Sequence, residues 1–96
     1  MDYRLEWDKR KAISNAEKHG VTFDEASTVF QDPLAFIFDD EYHSGDEPRE
    51  LIIGHSINER LLVVSFTERT ENVVRIISAR LTTKKEREAY EENSNV

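Results

Sequence analysis

Two apolar runs, RLLVVSFTE (60–68) and NVVRIISAR (72–80), stand a few residues apart and constrain this chain more than any other feature. Both are rich in β-branched residues, which suit a pleated, largely buried surface, and the polar link between them is long enough only for a tight turn. They read as an antiparallel hairpin. ELIIGHS (50–56) and LAFIFDD (34–40) are strands of the same kind. A short turn at 57–59 leads from ELIIGHS into the hairpin, and a polar region, EYHSGDEPR with Gly45 and Pro48, separates it from LAFIFDD.

The first third has a different rhythm. YRLEW alternates apolar and polar residues, the period of a short strand. Asp8 follows as an N-cap, with Trp7 and Ala12 placed as a hydrophobic staple, and a helix runs to about Lys18. Gly20 stands where a left-handed residue ends a helix. Thr22-x-x-Glu25 is a capping box with Val21 and Ala26 as its staple, and Phe23, Ala26 and Phe30 line a second short helix that stops at Asp32-Pro33. A second capping box, Thr83-x-x-Glu86, opens a last helix to about Glu92. The order β-α-α-β-β-β-β-α predicts one α+β domain over 1–92, built as an antiparallel meander with its helices on one face, and a frayed tail at 93–96.

The formal net charge of -7 is unevenly spread. Residues 1–50 carry 6 Lys/Arg against 13 Asp/Glu, whereas residues 51–96 carry 7 of each. Within 69–87, Arg69, Arg75, Arg80, Lys84, Lys85 and Arg87 face only Glu71 and Glu86, a locally cationic window. No apolar run approaches the roughly 20 residues of a membrane helix. The first residues lack a signal peptide's apolar segment, and cysteine is absent. A small cytoplasmic domain is the expectation. His19, His43 and His55 are not at metal-ligand spacing, no phosphate loop or hydrolase motif occurs, and neither a metal nor a cofactor is expected. DDEYHSGDE lacks EF-hand spacing and reads as a solvated loop.

The hairpin arginines are the candidates for chemistry. Strict alternation puts Arg75, Ile77 and Ala79 on one side of the strand and Val74, Ile76, Ser78 and Arg80 on the other. A two-residue turn at Glu71-Asn72 would set Arg75 opposite Glu68, an ordinary cross-strand ion pair that a one-residue slip would break. Alternatively, Arg75 is held at a concave face to receive a phosphate, a task its planar, permanently charged fork suits. Lys18 and His19 sit at a helix C-terminus, where interaction with the helix dipole alone would explain them. His55, at a strand end, could act as a base; Tyr90 reads as core.

EWDKRKAISNAEKHGVTFDEASTVFQDP, RLLVVSFTER and VRIISARLTTKKEREAYE together closely resemble the BrnT family of bacterial toxins, from Trp7 to Tyr90. The resemblance implies a fold like the RelE-type ribonuclease toxins and a metal-independent endoribonuclease that arrests translation. It also implies a BrnA-like antitoxin as partner, with oligomers in that complex. The reaction would be 2′-OH attack on the adjacent phosphate. On this reading Arg69, Arg75, Arg80, Glu68 and His19 are the catalytic candidates, and Lys18 and Lys84 join the three arginines in binding RNA. A non-catalytic module that binds such an antitoxin is the alternative.

Overall fold

The structure, a computed structural model, describes residues 3–40 and 48–94, with the backbone alone for Ser94. The DDEYHSGDE loop therefore falls largely outside the described residues, as do the last two of the tail. Strand β1 (Arg4–Glu6) leads into helix α1 (Lys9–His19) and helix α2 (Phe23–Ser27), which tightens into a 3₁₀ turn at Thr28–Gln31. Strands β2 (Phe36–Asp39), β3 (Glu50–His55), β4 (Leu61–Thr70) and β5 (Val73–Leu81) follow, then helix α3 (Lys84–Ser94).

Local chemistry explains the helix boundaries. The Asp8 carboxylate accepts from the amides of Arg10 and Lys11, which lowers its pKa, and Gly20 ends α1 with φ +68°. Thr22 caps α2 by accepting from Glu25 N–H. At α3 the capping box closes in both directions, Thr83 N–H to the Glu86 carboxylate at 2.8 Å and Glu86 N–H to the Thr83 hydroxyl at 3.2 Å.

The α+β class and the element order stand as read, but two details differ. Strands β2 to β5 form the expected antiparallel meander, yet β1 joins it in parallel beside β5, so the sheet is mixed, with order β1-β5-β4-β3-β2. The helices also divide between the faces. Val21, Phe23, Ala26 and Val29 pack on Ile52, Leu62, Val64, Phe66, Val74 and Ile76. Tyr90 of α3 packs on Ile53, Leu61 and Val63, the alternate residues of the same strands. Apolar runs without alternation are what a sheet covered on both sides requires.

Two polar contacts join these parts. Asn15, buried on α1, accepts from Ala79 N–H at 3.1 Å and donates to the carbonyls of Ala79 at 2.8 Å and Val21 at 3.0 Å. Its amide thus completes the edge of β5 beyond the end of β1. Glu25, 8 % exposed, receives Arg60 through both Nε and Nη2, while Ser56 Oγ donates to it at 2.7 Å. Arg60 also donates to the Gly20 carbonyl at 3.1 Å. The Arg60 hydrogen bonds outweigh burial and pull the Glu25 carboxyl down to about 2.

Glu25→Gln is expected to lower stability at neutral pH by about 2–3 kcal/mol in urea denaturation, below the value for a fully buried pair because Arg60 keeps contact with water. Since the folded-state pKa lies below the unfolded one, the contribution is complete above the ordinary carboxyl range. The gap between wild type and variant should close as pH falls from about 5 toward 2.

Candidate functional site

Bulges decide which side of the hairpin each arginine occupies. The turn at Glu71-Asn72 is as expected, Asn72 taking φ +67° and Thr70 pairing with Val73. Arg69 then bulges out of β4, so Glu68 lies opposite Val74 and Thr67 opposite Arg75. The Glu68–Arg75 pair therefore does not form. Arg75 instead reaches Glu6 on β1, with Nη2 at 3.1 Å and Nε at 3.2 Å from one carboxylate oxygen.

A second bulge falls at Ile77, because Ser65 pairs with Ser78 while Phe66 pairs with Ile76. Strict alternation fails there. Ile76 and Ala79 both enter the core beneath α1 and α2, and Arg75, Ser78 and Arg80 share the opposite face, the one α3 partly covers. The bulge thus brings together two arginines that simple alternation separates.

On that face lies a concavity of about 470 Å³. Its floor is Leu51, Val63, Ser65 and Ser78, and its walls are Phe38, Asp39 and Asp40 on one side and Arg80 and Glu86 on the other, with Arg49 also lining it. Arg80 holds Glu86 in a two-pronged pair, Nη1 at 2.8 Å and Nη2 at 2.9 Å from the two carboxylate oxygens, and Nη1 also donates to the Leu81 carbonyl. The pair raises the pKa of Arg80, and the Arg80 hydrogen bonds, against burial, lower that of Glu86. Both groups are ionised through the neutral range.

The other expected site residues lie apart from this concavity. Arg75 shares the face but leans to the β1 edge, and Arg69 and Glu68 are exposed at the far end of β4. Glu68 points to the side of Val74, where, after burial and Asp39, it helps raise the pKa of Glu50. Lys18 and His19 close α1 at the corner that Arg60 ties through the Gly20 carbonyl. Lys84 is exposed at the first residue of α3. Arg49 and Phe38 carry no sequence motif; only the pairing of β2 with β3 brings them to the concavity.

A second polar cluster unites residues distant in sequence. Asp32 accepts at Oδ2 from the His55 amide at 2.8 Å and from the Tyr90 hydroxyl at 2.8 Å, and at Oδ1 from Leu34 N–H at 2.9 Å. Burial pushes its carboxyl up, but these bonds together hold it below its ordinary value. With its hydroxyl hydrogen donated to Asp32, the Tyr90 oxygen is the acceptor for His55 Nδ1–H at 3.1 Å. His55 lies four residues along β3 from Leu51, about 13 Å at the strand rise, so it does not serve the concavity. The cluster anchors α3. Among the described residues no group of His, Asp and Glu is arranged to hold a metal.

A family model described as "Ribonuclease toxin, BrnT, of type II toxin-antitoxin system" matches residues 7–86. The crystal structure of the Brucella abortus ribonuclease toxin BrnT superimposes with a TM-score of 0.65 at 21% identity, covering 85% of this chain and 99% of that one. No curated protein sequence matches the chain.

Tyr90→Phe removes the donor to Asp32 and the acceptor for His55 while keeping the ring. It should cost about 1–2 kcal/mol in thermal or urea unfolding. A cost near zero would show that the cluster does not anchor α3.

Proposed function

Because the chain belongs to the BrnT family of ribonuclease toxins of type II toxin–antitoxin systems, we propose that it cuts RNA in the cytoplasm without a metal, and that an antitoxin of BrnA type restrains it. The observation that carries this reading is the convergence of Arg80 and Arg49 on one open concavity floored by Ser65 and Ser78. A bent RNA strand laid there can bring its phosphates to two cations. The reaction is 2′-OH attack on phosphorus with departure of the 5′-oxygen. Its transition state gathers charge on the non-bridging oxygens, which a planar guanidinium stabilises through paired N–H donors.

Glu86 fixes the Arg80 plane and keeps it ready, with Nε–H and the second Nη2–H left to bind phosphate. Glu86 is a carboxylate on the wall to which the 2′-OH proton can pass and from which a proton can reach the departing 5′-oxygen. Arg75 and Lys84 extend the cationic surface for flanking phosphates. No helix among the described residues is long and apolar enough to cross a membrane.

A second reading has its own support. Arg80 is engaged by Glu86 and Arg75 by Glu6, so these guanidinium groups already have carboxylate partners. A module that has lost cleavage and survives as the partner of an antitoxin would show the same pairs.

Induced expression separates the two. Wild type should arrest growth, while Arg80→Lys, which keeps the charge but loses the fork, and Arg49→Ala should each relieve arrest at least tenfold in viable counts, with thermal midpoints within about 5 °C of wild type. Growth with folded wild-type protein would favour the binding module.

A further inference from the structure

The concavity has an aromatic wall that phosphate chemistry leaves unused. Phe36 and Phe38, two residues apart on β2, project to the same side, and their rings stack at 5.7 Å between centroids and 28° between planes. Phe36 in turn stacks on Tyr90 at 6.4 Å and 26°. The three rings make a ladder that begins at the α3 anchor and ends at Phe38. Phe38 is 37% exposed, on a strand at the sheet edge, and lines the concavity opposite Arg80. An exposed phenylalanine on an edge strand is ordinarily a liability. Here it is the open end of a stack.

We propose that Phe38 is a platform on which a nucleobase of single-stranded RNA stacks, as the next rung of the Phe38–Phe36–Tyr90 ladder. The inference rests on the ribonuclease reading and adds to it a subsite that recognises a base rather than a phosphate. Three features support it. The ladder fixes the ring plane before a base arrives, so little ordering is needed on binding. Arg49, the residue just before β3, lines the same concavity and can hold the phosphate of the stacked nucleotide.

The third feature is the span. From β2 to β5 the concavity crosses three strand spacings, about 14 Å. This exceeds the base-to-phosphate reach of a single nucleotide, so a base on Phe38 and a phosphate on Arg80 belong to neighbouring units of one strand. Stacking on a π-face accepts every base, with the larger purines favoured. In a chain with a formal net charge of -7, such an uncharged contact supplies affinity that salt does not screen.

The test uses a fluorescein-labelled 2′-O-methyl oligoadenylate, which has no 2′-OH to react, and fluorescence anisotropy with the full chain. Phe38→Leu keeps an apolar side chain but removes the π-face; Phe38→Trp restores one. Phe38→Leu should weaken binding by about 5- to 100-fold, with a similar factor at low and high salt. Phe38→Trp should bind as wild type does, and its new indole should be quenched by the oligonucleotide more than that of Trp7 in wild type.

Arg49→Ala should weaken binding most at low salt and lower the slope of log Kd against log salt concentration by about one, marking the phosphate contact. Wild-type affinity in Phe38→Leu, with loss in Arg49→Ala, would overturn the stacking platform and leave the ribonuclease reading standing. Absence of binding by the folded wild type would overturn both. Loss in Phe38→Leu that Phe38→Trp does not restore would show that Phe38 acts only through packing, and would overturn the proposal as well.

Discussion

The buried carboxylate of Glu25 is the constraint on which the arrangement of the two layers depends. Arg60, Ser56 and the Gly20 carbonyl meet around it, so one cluster ties the corner between α1 and α2 to the turn that starts β4. A charge so placed has value only when every partner arrives together. The helical layer therefore cannot slide over the sheet without stranding either Glu25 or Arg60. With that layer fixed on one face, the opposite face is free to carry α3 at one end and an open hollow at the other.

An acidic chain with a local group of arginines becomes intelligible once the two faces are distinguished. Asp39, Glu50 and Glu68 crowd one another on the helix side of the sheet, where burial together with Asp39 and Glu68 raises the pKa of Glu50. Arg75 and Arg80 lie on the other side. The total charge sums over both sides and says little about either. What a phosphate would meet is the local field, in which Arg80 and Arg49 stand above an apolar and hydroxyl floor.

The fold was legible where signals were local. Asp8, Gly20, Thr22 and Thr83 mark the helix ends by side-chain chemistry that acts within four residues, and those boundaries hold. The parallel β1 strand was not legible, because its partner Val73–Arg75 lies about seventy residues away and period alone does not give strand direction. The candidate site was legible only in part. Arg80 was marked as a candidate, but its companions Arg49 and Phe38 are brought in by strand pairing. The side on which Arg80 emerges was hidden by the bulge at Ile77, since a residue that drops out of register reverses all that follows and leaves no trace in composition. Glu25 was read as half of a capping box; its carboxylate is instead committed across the fold to Arg60, thirty-five positions on.

Asn15 has a consequence for how this sheet can grow. By bonding both main-chain groups of Ala79 it closes the border of β5 that the short β1 strand leaves uncovered. A foreign strand finds the Ala79 rung already taken. The opposite border is β2, the last strand in the order, whose outer main-chain groups have no neighbouring strand among the described residues. Lengthening of the sheet by another chain is thereby favoured at the β2 margin, which carries the acidic residues Asp39 and Asp40 and the rim of the hollow.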